Sequence, residues 1–266
     1  MNELAPISNV QRTDDLPVAV VIPLYNEQDI LLPNLEILAR FFDRLVGPRN
    51  WHFILVENGS TDATADLVKT AVELWPLSRA IFLSVPNVGT AFKVGLQAAT
   101  TKWVYQIEIE QWDLPFMAWA WRNRNSYDLL LGSKRADPTL NYQEPYRRFL
   151  SCGLNGILQL FFGFTGTDTH GPKLHNRKAL DDIIASCHLD RGQFDSEFVL
   201  RAARGRMRII EAPTVYKDVR PHRNWMLSKI LWNCGALWRL FETMKDVPYK
   251  GHRVAGTRLC ANAPIS

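Results

Sequence analysis

The sequence predicts an α/β protein built on a doubly wound, mostly parallel sheet flanked by helices, and three observations carry that prediction. The run Val18-Ala19-Val20-Val21-Ile22-Pro23 is apolar and rich in β-branched residues, the pattern of a strand covered on both faces. A strand, loop, helix plan follows it and then recurs. Polar, acid-bearing loops fall where the strands end, the edge at which sheets of this class bind ligands.

After a turn at 24–28, residues 29–45 place Ile30, Leu31, Leu35, Leu38, Phe41, Phe42 and Leu45 at helical spacing. The plan repeats with a strand at 51–56, a loop at 57–61 and a helix at 62–74. A third strand is expected at 80–85, a helix of small residues at 89–100 and a fourth strand at 103–109. Past Pro115 the pattern loosens. A buried strand is expected at 127–132, a long apolar helix at 146–162, a helix at 194–204 and a strand at 207–210. These elements divide the chain into an N-terminal segment at 1–16, one large domain at 17–220 and a basic, aromatic helical tail at 221–266. The tail carries Trp225, Trp232 and Trp238 and is expected to pack on the domain or lie on a membrane surface.

Composition narrows the function classes. With 47% hydrophobic and 22% charged residues the chain reads as an ordinary globular protein. A net charge of +4 without long basic blocks disfavours a nucleic-acid partner. Cys152, Cys187, Cys234 and Cys260 form no CxxC pair, so neither a zinc site nor a disulfide framework is expected, and a cytoplasmic setting fits. Apolar runs such as 153–164 and 230–241 fall short of the roughly 20 residues that cross a bilayer.

Four loops carry chemistry. In the first, Glu27 projects beyond Pro23-Leu24-Tyr25-Asn26. The second, Glu57-Asn58-Gly59-Ser60-Thr61-Asp62, combines a tight turn with a helix cap, and a turn with a good cap is an equally strong account of each. The third, from Pro86 through Asn87 to Lys93, opens a helix that could receive an anion. In the fourth, Glu108 and Glu110 stand two apart on an expected strand, so both carboxylates could reach one hard cation. The competing account is a solvent-facing edge strand.

The stretches 21–27, Glu57-Asn58-Gly59-Ser60-Thr61-Asp62, Asn87-Val88-Gly89 and Leu131-Gly132-Ser133 resemble, in order and rough spacing, the signatures of the inverting GT-A glycosyltransferases of family two. They are most similar to the dolichol-phosphate mannose synthase and polyprenyl-phosphate glycosyltransferase branch. The resemblance runs from about Val18 to Lys229 and implies a Rossmann-like GT-A fold. It also implies that Pro23, Tyr25, Glu27, Glu57, Asn58, Asp62 and Asn87 line the site of a UDP- or GDP-linked sugar, and that the family's Asp-x-Asp metal motif falls on Glu108-Ile109-Glu110. Both aspartates are glutamates here. The branch's acceptor-phosphate residues fall on Lys134, where arginine is usual, and on Arg147 and Ser151. Asp168, His170 and Lys173 match a family loop, Glu197 a helix start, and Ser228-Lys229 a tail motif that would close over the pyrophosphate.

The resemblance therefore implies transfer of a sugar to a polyprenyl or dolichyl phosphate, assisted by Mg2+ or Mn2+ at Glu108 and Glu110, with Lys134 and Arg147 aligning the attacking oxygen. Two alternatives stand beside it. Transfer to a neutral hydroxyl would need a base, for which Glu197, Asp168 and His170 are the candidates. A nucleotide-sugar-binding protein without turnover is the other. A Rossmann dehydrogenase is disfavoured, because no Gly-x-Gly-x-x-Gly follows the first strand.

Overall fold

The computed structural model describes residues 17–142, 145–216, 226–248 and 254–256, and side chains throughout these except at 145–151, 191 and 226–234. Its strands are β1 (Val18–Leu24), β2 (Trp51–Asn58), β3 (Arg79–Leu83), β4 (Trp103–Gln106), β5 (Leu129–Ser133), β6 (Lys173–Asn176), β7 (Ile209–Pro213) and β8 (Ala255–Gly256). They form one sheet in the order β3-β2-β1-β4-β6-β5-β7-β8. Every pairing is parallel except those of β6, which runs antiparallel to β4 and β5. The helices are α1 (Leu31–Val46), α2 (Thr64–Leu74), α3 (Val88–Ala98), α4 (Leu114–Asn123), α5 (Pro145–Phe162), α6 (Arg177–Ser186), α7 (Phe194–Arg204) and α8 (Met226–Met244).

Two cores lie on opposite faces of the sheet. The two-residue side-chain period of β1 sends Val18, Val20 and Ile22 into one, with Leu38 and Phe42 of α1, and Ala19 and Val21 into the other, with Phe92 and Leu96 of α3. This double burial is why the strand is apolar at every position. Side chains such as Phe42, Phe53 and Phe198 are fully enclosed, and each such burial stabilises by about 1.5–3 kcal/mol. The parallel order β3-β2-β1-β4 aligns the loops after β1, β2 and β4 along one edge.

The expected strand at 103–109 is shorter than its sequence suggests. β4 ends at Gln106, after Ile107 N–H donates to Val21 O, and the chain turns so that Glu108 and Gln111 bridge each other. Glu108 and Glu110 therefore lie in a tight turn, and the same-side strand argument for them is wrong. Four labelled elements, α4, β6, α6 and the two-residue β8, are additions to the sequence reading. α4 begins where Asp113 Oδ1 accepts the Phe116 N–H at 2.9 Å, with Pro115 in its first turn. β6 is only Lys-Leu-His-Asn, and α6 follows it directly.

The N-terminal segment 1–16 and the stretch 217–225 lie outside the described residues. In α8, Ala236, Leu240 and Met244 are buried, and the Arg204 guanidinium donates to Met244 O and Val247 O at 2.6 and 2.8 Å. Among the described residues, no helix is long and apolar enough to cross a membrane.

Candidate active site

The loops after β1 and β2 are stitched to each other. Asn26 (φ 56°) donates its N–H to Ser60 Oγ at 3.0 Å and accepts the Thr61 N–H on Oδ1 at 2.8 Å. Glu27 N–H donates to Thr64 Oγ1 at 2.8 Å, and Gln28 N–H to Asp62 Oδ2 at 3.3 Å. The buried Glu57 carboxylate accepts the N–H groups of Ser60 at 2.6 Å and of Gly59 at 3.2 Å, and Gly59 takes the positive φ (71°) this turn requires. Asn58 Oδ1 accepts the Asn87 N–H at 2.7 Å, while Asn87 Oδ1 caps α3 at Thr90 N. Burial pushes the Asp62 carboxyl up, but hydrogen bonds from Thr64 and Gln28 outweigh it and hold the group below its ordinary value. Pro23 lies buried in β1 and Tyr25, just after it, is 41% exposed. Lys93, expected near an anion, donates to the Cys187 carbonyl instead.

Beyond this edge a cleft of about 200 Å3 opens where β4 ends, walled by Glu108, Trp112, Lys134, Asp168, His170, Lys173 and Tyr216 among others. The turn that moves Glu108 off the strand puts it on this wall; Glu110 is not on it. Burial, then the charges of Asp195 and Glu110, push the Glu108 carboxyl up to about 7 against the pull of Lys173 and Lys134. Lys173, 1% exposed, donates to Asp195 Oδ1 at 2.7 Å and to Gly171 O at 3.0 Å, and Gln106 Nε2 donates to the same Asp195 oxygen at 2.6 Å. Sequence reasoning gave Asp195 and Gln106 no role. The signal that could have found them is position: Asp195 opens the stretch that holds Glu197, and Gln106 stands at a strand end two residues before Glu108.

Lys134 reaches the cleft with its ammonium 3.9 Å from Asp168 Oδ2 and 4.6 Å from the Tyr216 ring centre. Burial pushes Asp168 up, yet Lys134, His170 and two backbone N–H groups prevail and lower it. His170 is clasped at both nitrogens, Nδ1 to Thr169 Oγ1 at 3.0 Å and Nε2 to Gly192 O at 2.9 Å; because a carbonyl only accepts, the Nε2 proton is the one the geometry requires. Glu197, one of the three candidate bases for a hydroxyl acceptor, is not on the cleft wall. Its carboxylate is fully buried and takes the His188 and Leu189 N–H groups and the Arg201 guanidinium. The side chains of Arg147 and Ser151, on α5, and of Ser228 and Lys229, on α8, lie outside the described residues.

The loop that carries Asp168 to Lys173 is held from below. Glu211 accepts the N–H groups of Thr167 and Asp168 at 2.7 and 2.9 Å, and Asp113 Oδ2 accepts the Val215 N–H at 2.7 Å across 102 residues. Gly171 has no room for a side chain: a Cβ there would stand 1.8 Å from Gly132 O.

No group of three or more His, Cys, Asp or Glu side chains stands together as a metal centre among the described residues. A hard oxygen ligand crowded by two other acids and held back from ionisation fits a position that positive charge would relieve. Glu108 alone would supply it, with further ligands coming from a bound phosphate.

Three comparisons bear on this geometry. Residues 19–107 match the model of "Glycosyl transferase family 2". A dolichyl-phosphate beta-glucosyltransferase of Trichomonas vaginalis is 23% identical over 238 residues, 82% of this chain and 68% of that protein. A mannosyltransferase of Pyrobaculum calidifontis, solved with GDP-Man and Mn2+, superimposes with a TM-score of 0.58 at 19% identity, over 86% of this chain and 64% of the other. Glucosyl-3-phosphoglycerate synthase of Mycobacterium tuberculosis, solved with Mn2+, UDP and its product, gives 0.53 at 18%, over 94% and 88%. At such identities the structures speak for the fold, and that fold places the stitched loops and the Glu108 cleft on the same sheet edge. Residues 19–107 of this chain are thus similar to glycosyl transferase family 2, and its sheet has the fold of the GT-A glycosyltransferases.

Proposed function

We propose that the chain is an inverting glycosyltransferase that moves a hexose from a UDP- or GDP-linked donor to an acceptor phosphate of the polyprenyl or dolichyl kind. The observation that carries this reading is the occupation of the candidate bases. Glu197 is spent on two backbone N–H groups and Arg201, both nitrogens of His170 are engaged, and Asp168, which accepts the Thr169 and His170 N–H groups and faces Lys134, is held below its ordinary value and is a correspondingly weak base. An acceptor that arrives as an anion needs none of them, because a phosphate monoester is largely ionised near neutral pH. Of the two lysines on the cleft wall, Lys173 is held by Asp195 and Gly171, and Lys134 is the one placed to meet such an anion.

In this reading the stitched loops hold the nucleoside and Glu108 lies beside the pyrophosphate. A divalent cation, Mg2+ or Mn2+, would be held by Glu108 and the donor phosphates and would neutralise the charge of the departing nucleotide. Lys134 aligns the attacking phosphate oxygen in line with the breaking bond, so that one displacement inverts the anomeric carbon. A lipid-linked acceptor also accounts for an exposed apolar patch: Phe161 (59%) on α5 and Trp238 (66%) and Phe241 (42%) on α8 flank a groove of about 300 Å3, suited to a membrane surface.

A second reading has one observation in its favour. Glu108, with a value near 7, suits a general base, which would serve a hydroxyl acceptor. The experiment that separates them offers the enzyme UDP-glucose, UDP-N-acetylglucosamine or GDP-mannose, with Mn2+, and dolichyl phosphate or dolichol. Product on the phosphate alone supports the proposal; product on dolichol overturns it.

A further inference from the structure

On the sheet face opposite the α5 and α8 patch, α1 and α4 leave between them a groove of about 720 Å3 that shares no lining residue with the Glu108 cleft. Its floor is two apolar stripes, Ile37, Phe41 and Leu45 on α1 and Leu114, Ala118 and Trp121 on α4. Their spacing along each helix keeps them on one face, and from Ile37 to Leu45 the stripe runs about 12 Å, a little over two turns. Three arginines, Arg40, Arg44 and Arg122, stand among the lining residues and no acid does. Arg40 is paired with Glu36 at 2.5 Å; Arg44 and Arg122, both exposed, have no ion-pair partner among the described residues.

The chemistry of the occupant follows from this distribution. Small-molecule sites set a few convergent polar groups inside an apolar pocket to fix orientation. Here the floor is side-chain hydrocarbon and aromatic ring, and the charge is all of one sign. That is the complement of a helix with an apolar stripe and flanking carboxylates, seated in a two-helix groove. We propose that the α1/α4 groove docks an acidic amphipathic helix of a partner protein, with its apolar stripe on Phe41 and Trp121 and its carboxylates on Arg44 and Arg122. Because the site shares no residue with the cleft, docking tethers the enzyme without covering its donor or acceptor positions.

The test uses the full chain and a fluorescein-labelled helical 15-residue peptide with leucines at i, i+4 and i+7 flanked by glutamates, against the same peptide with lysines. The glutamate peptide is expected to bind, to weaken at least tenfold in the Arg44→Glu, Arg122→Glu double variant, and to be replaced there by the lysine peptide. Both arginines are exposed, and the single variants R44E and R122E, each expected to give a partial loss, guard against misfolding of the double. Equal binding of both peptides, or binding of neither, overturns the proposal. So does phosphatidylserine-vesicle binding that the double variant abolishes while the peptide is ignored, which would make the occupant a lipid surface. Self-association lost in the same variant would make it a second copy of this chain.

Discussion

The loops after β1 and β2 and the segments that enclose the Glu108 cleft share one edge of one sheet but are held by opposite means. In the first region the carboxylates and amides serve backbone N–H groups, some within their own loop, as Glu57 with Gly59 and Ser60 and Asn87 at the start of its own helix, and some in the adjoining loop, as Asn26 with Thr61, Asp62 with Gln28 and Asn58 with Asn87. In the second, buried acids are met from far along the chain, Asp195 by the Gln106 amide, Glu211 by the Thr167 N–H and Asp113 by the Val215 N–H, and a fully buried cation, Lys173, balances Asp195 directly. Hydrogen bonds from uncharged or singly placed groups to backbone make a rigid frame that holds itself. Long-range buried charge makes a site whose parts depend on one another, and whose ionisation changes with what is bound.

The comparison breaks most visibly at Lys173. Replacing it by Met leaves Asp195 and the crowd around Glu108 without their buried counter-ion, and a loss of about 3–5 kcal/mol is expected in urea unfolding. Adding Asp195→Asn should return a large part of that loss, whereas additive losses would mean that the pair is not coupled.

Glu108→Gln sharpens the contrast in the other direction. The folded value of Glu108, about 7, lies above its ordinary 4.5, so between those pH values the folded state keeps a proton that the unfolded chain has lost, and stability falls as pH rises through the window. The variant should therefore be more stable than wild type by up to about 3 kcal/mol at pH 8 and equal to it at pH 4. Thermal melts at the two pH values check this.

Changes in the frame should cost less and stay local. Glu57→Ala frees two backbone donors, with an expected cost of about 1–2 kcal/mol and weaker nucleotide binding by calorimetry. Asp62→Ala removes a turn that starts α2 at a partly exposed position, for about 1 kcal/mol or less, and a small fall in melting temperature is the expected result.

The same division explains what could be read from the sequence. β1, β2, α1 and α7 were legible because apolar runs and helical spacing are local signals, and Phe194–Arg204 is the helix as expected. The frame loops were legible because glycine, serine and aspartate at a strand end announce a turn and a cap. β6 was not, since Lys-Leu-His-Asn has no strand pattern of its own and is made a strand by its antiparallel neighbours β4 and β5. Glu108 and Glu110 were assigned to a strand because their spacing obeys the two-residue period, but the sheet stops at Gln106, where β6 also begins. Glu197 was read as a base from a motif whose Asp195, two residues earlier, is the acid beside the cleft. Sequence spacing cannot say which of two helix carboxylates faces inward when both are buried.

The most direct test of the account compares Glu108→Gln and Glu110→Gln in Mn2+-dependent release of nucleotide from the donor that wild type turns over. With Glu108 on the cleft wall and Glu110 off it, E108Q should lose at least a hundredfold in kcat/KM and its response to Mn2+, while E110Q keeps both within about tenfold, an order of magnitude that follows from losing one group at the developing charge. Wild-type rate and metal response in E108Q would contradict it.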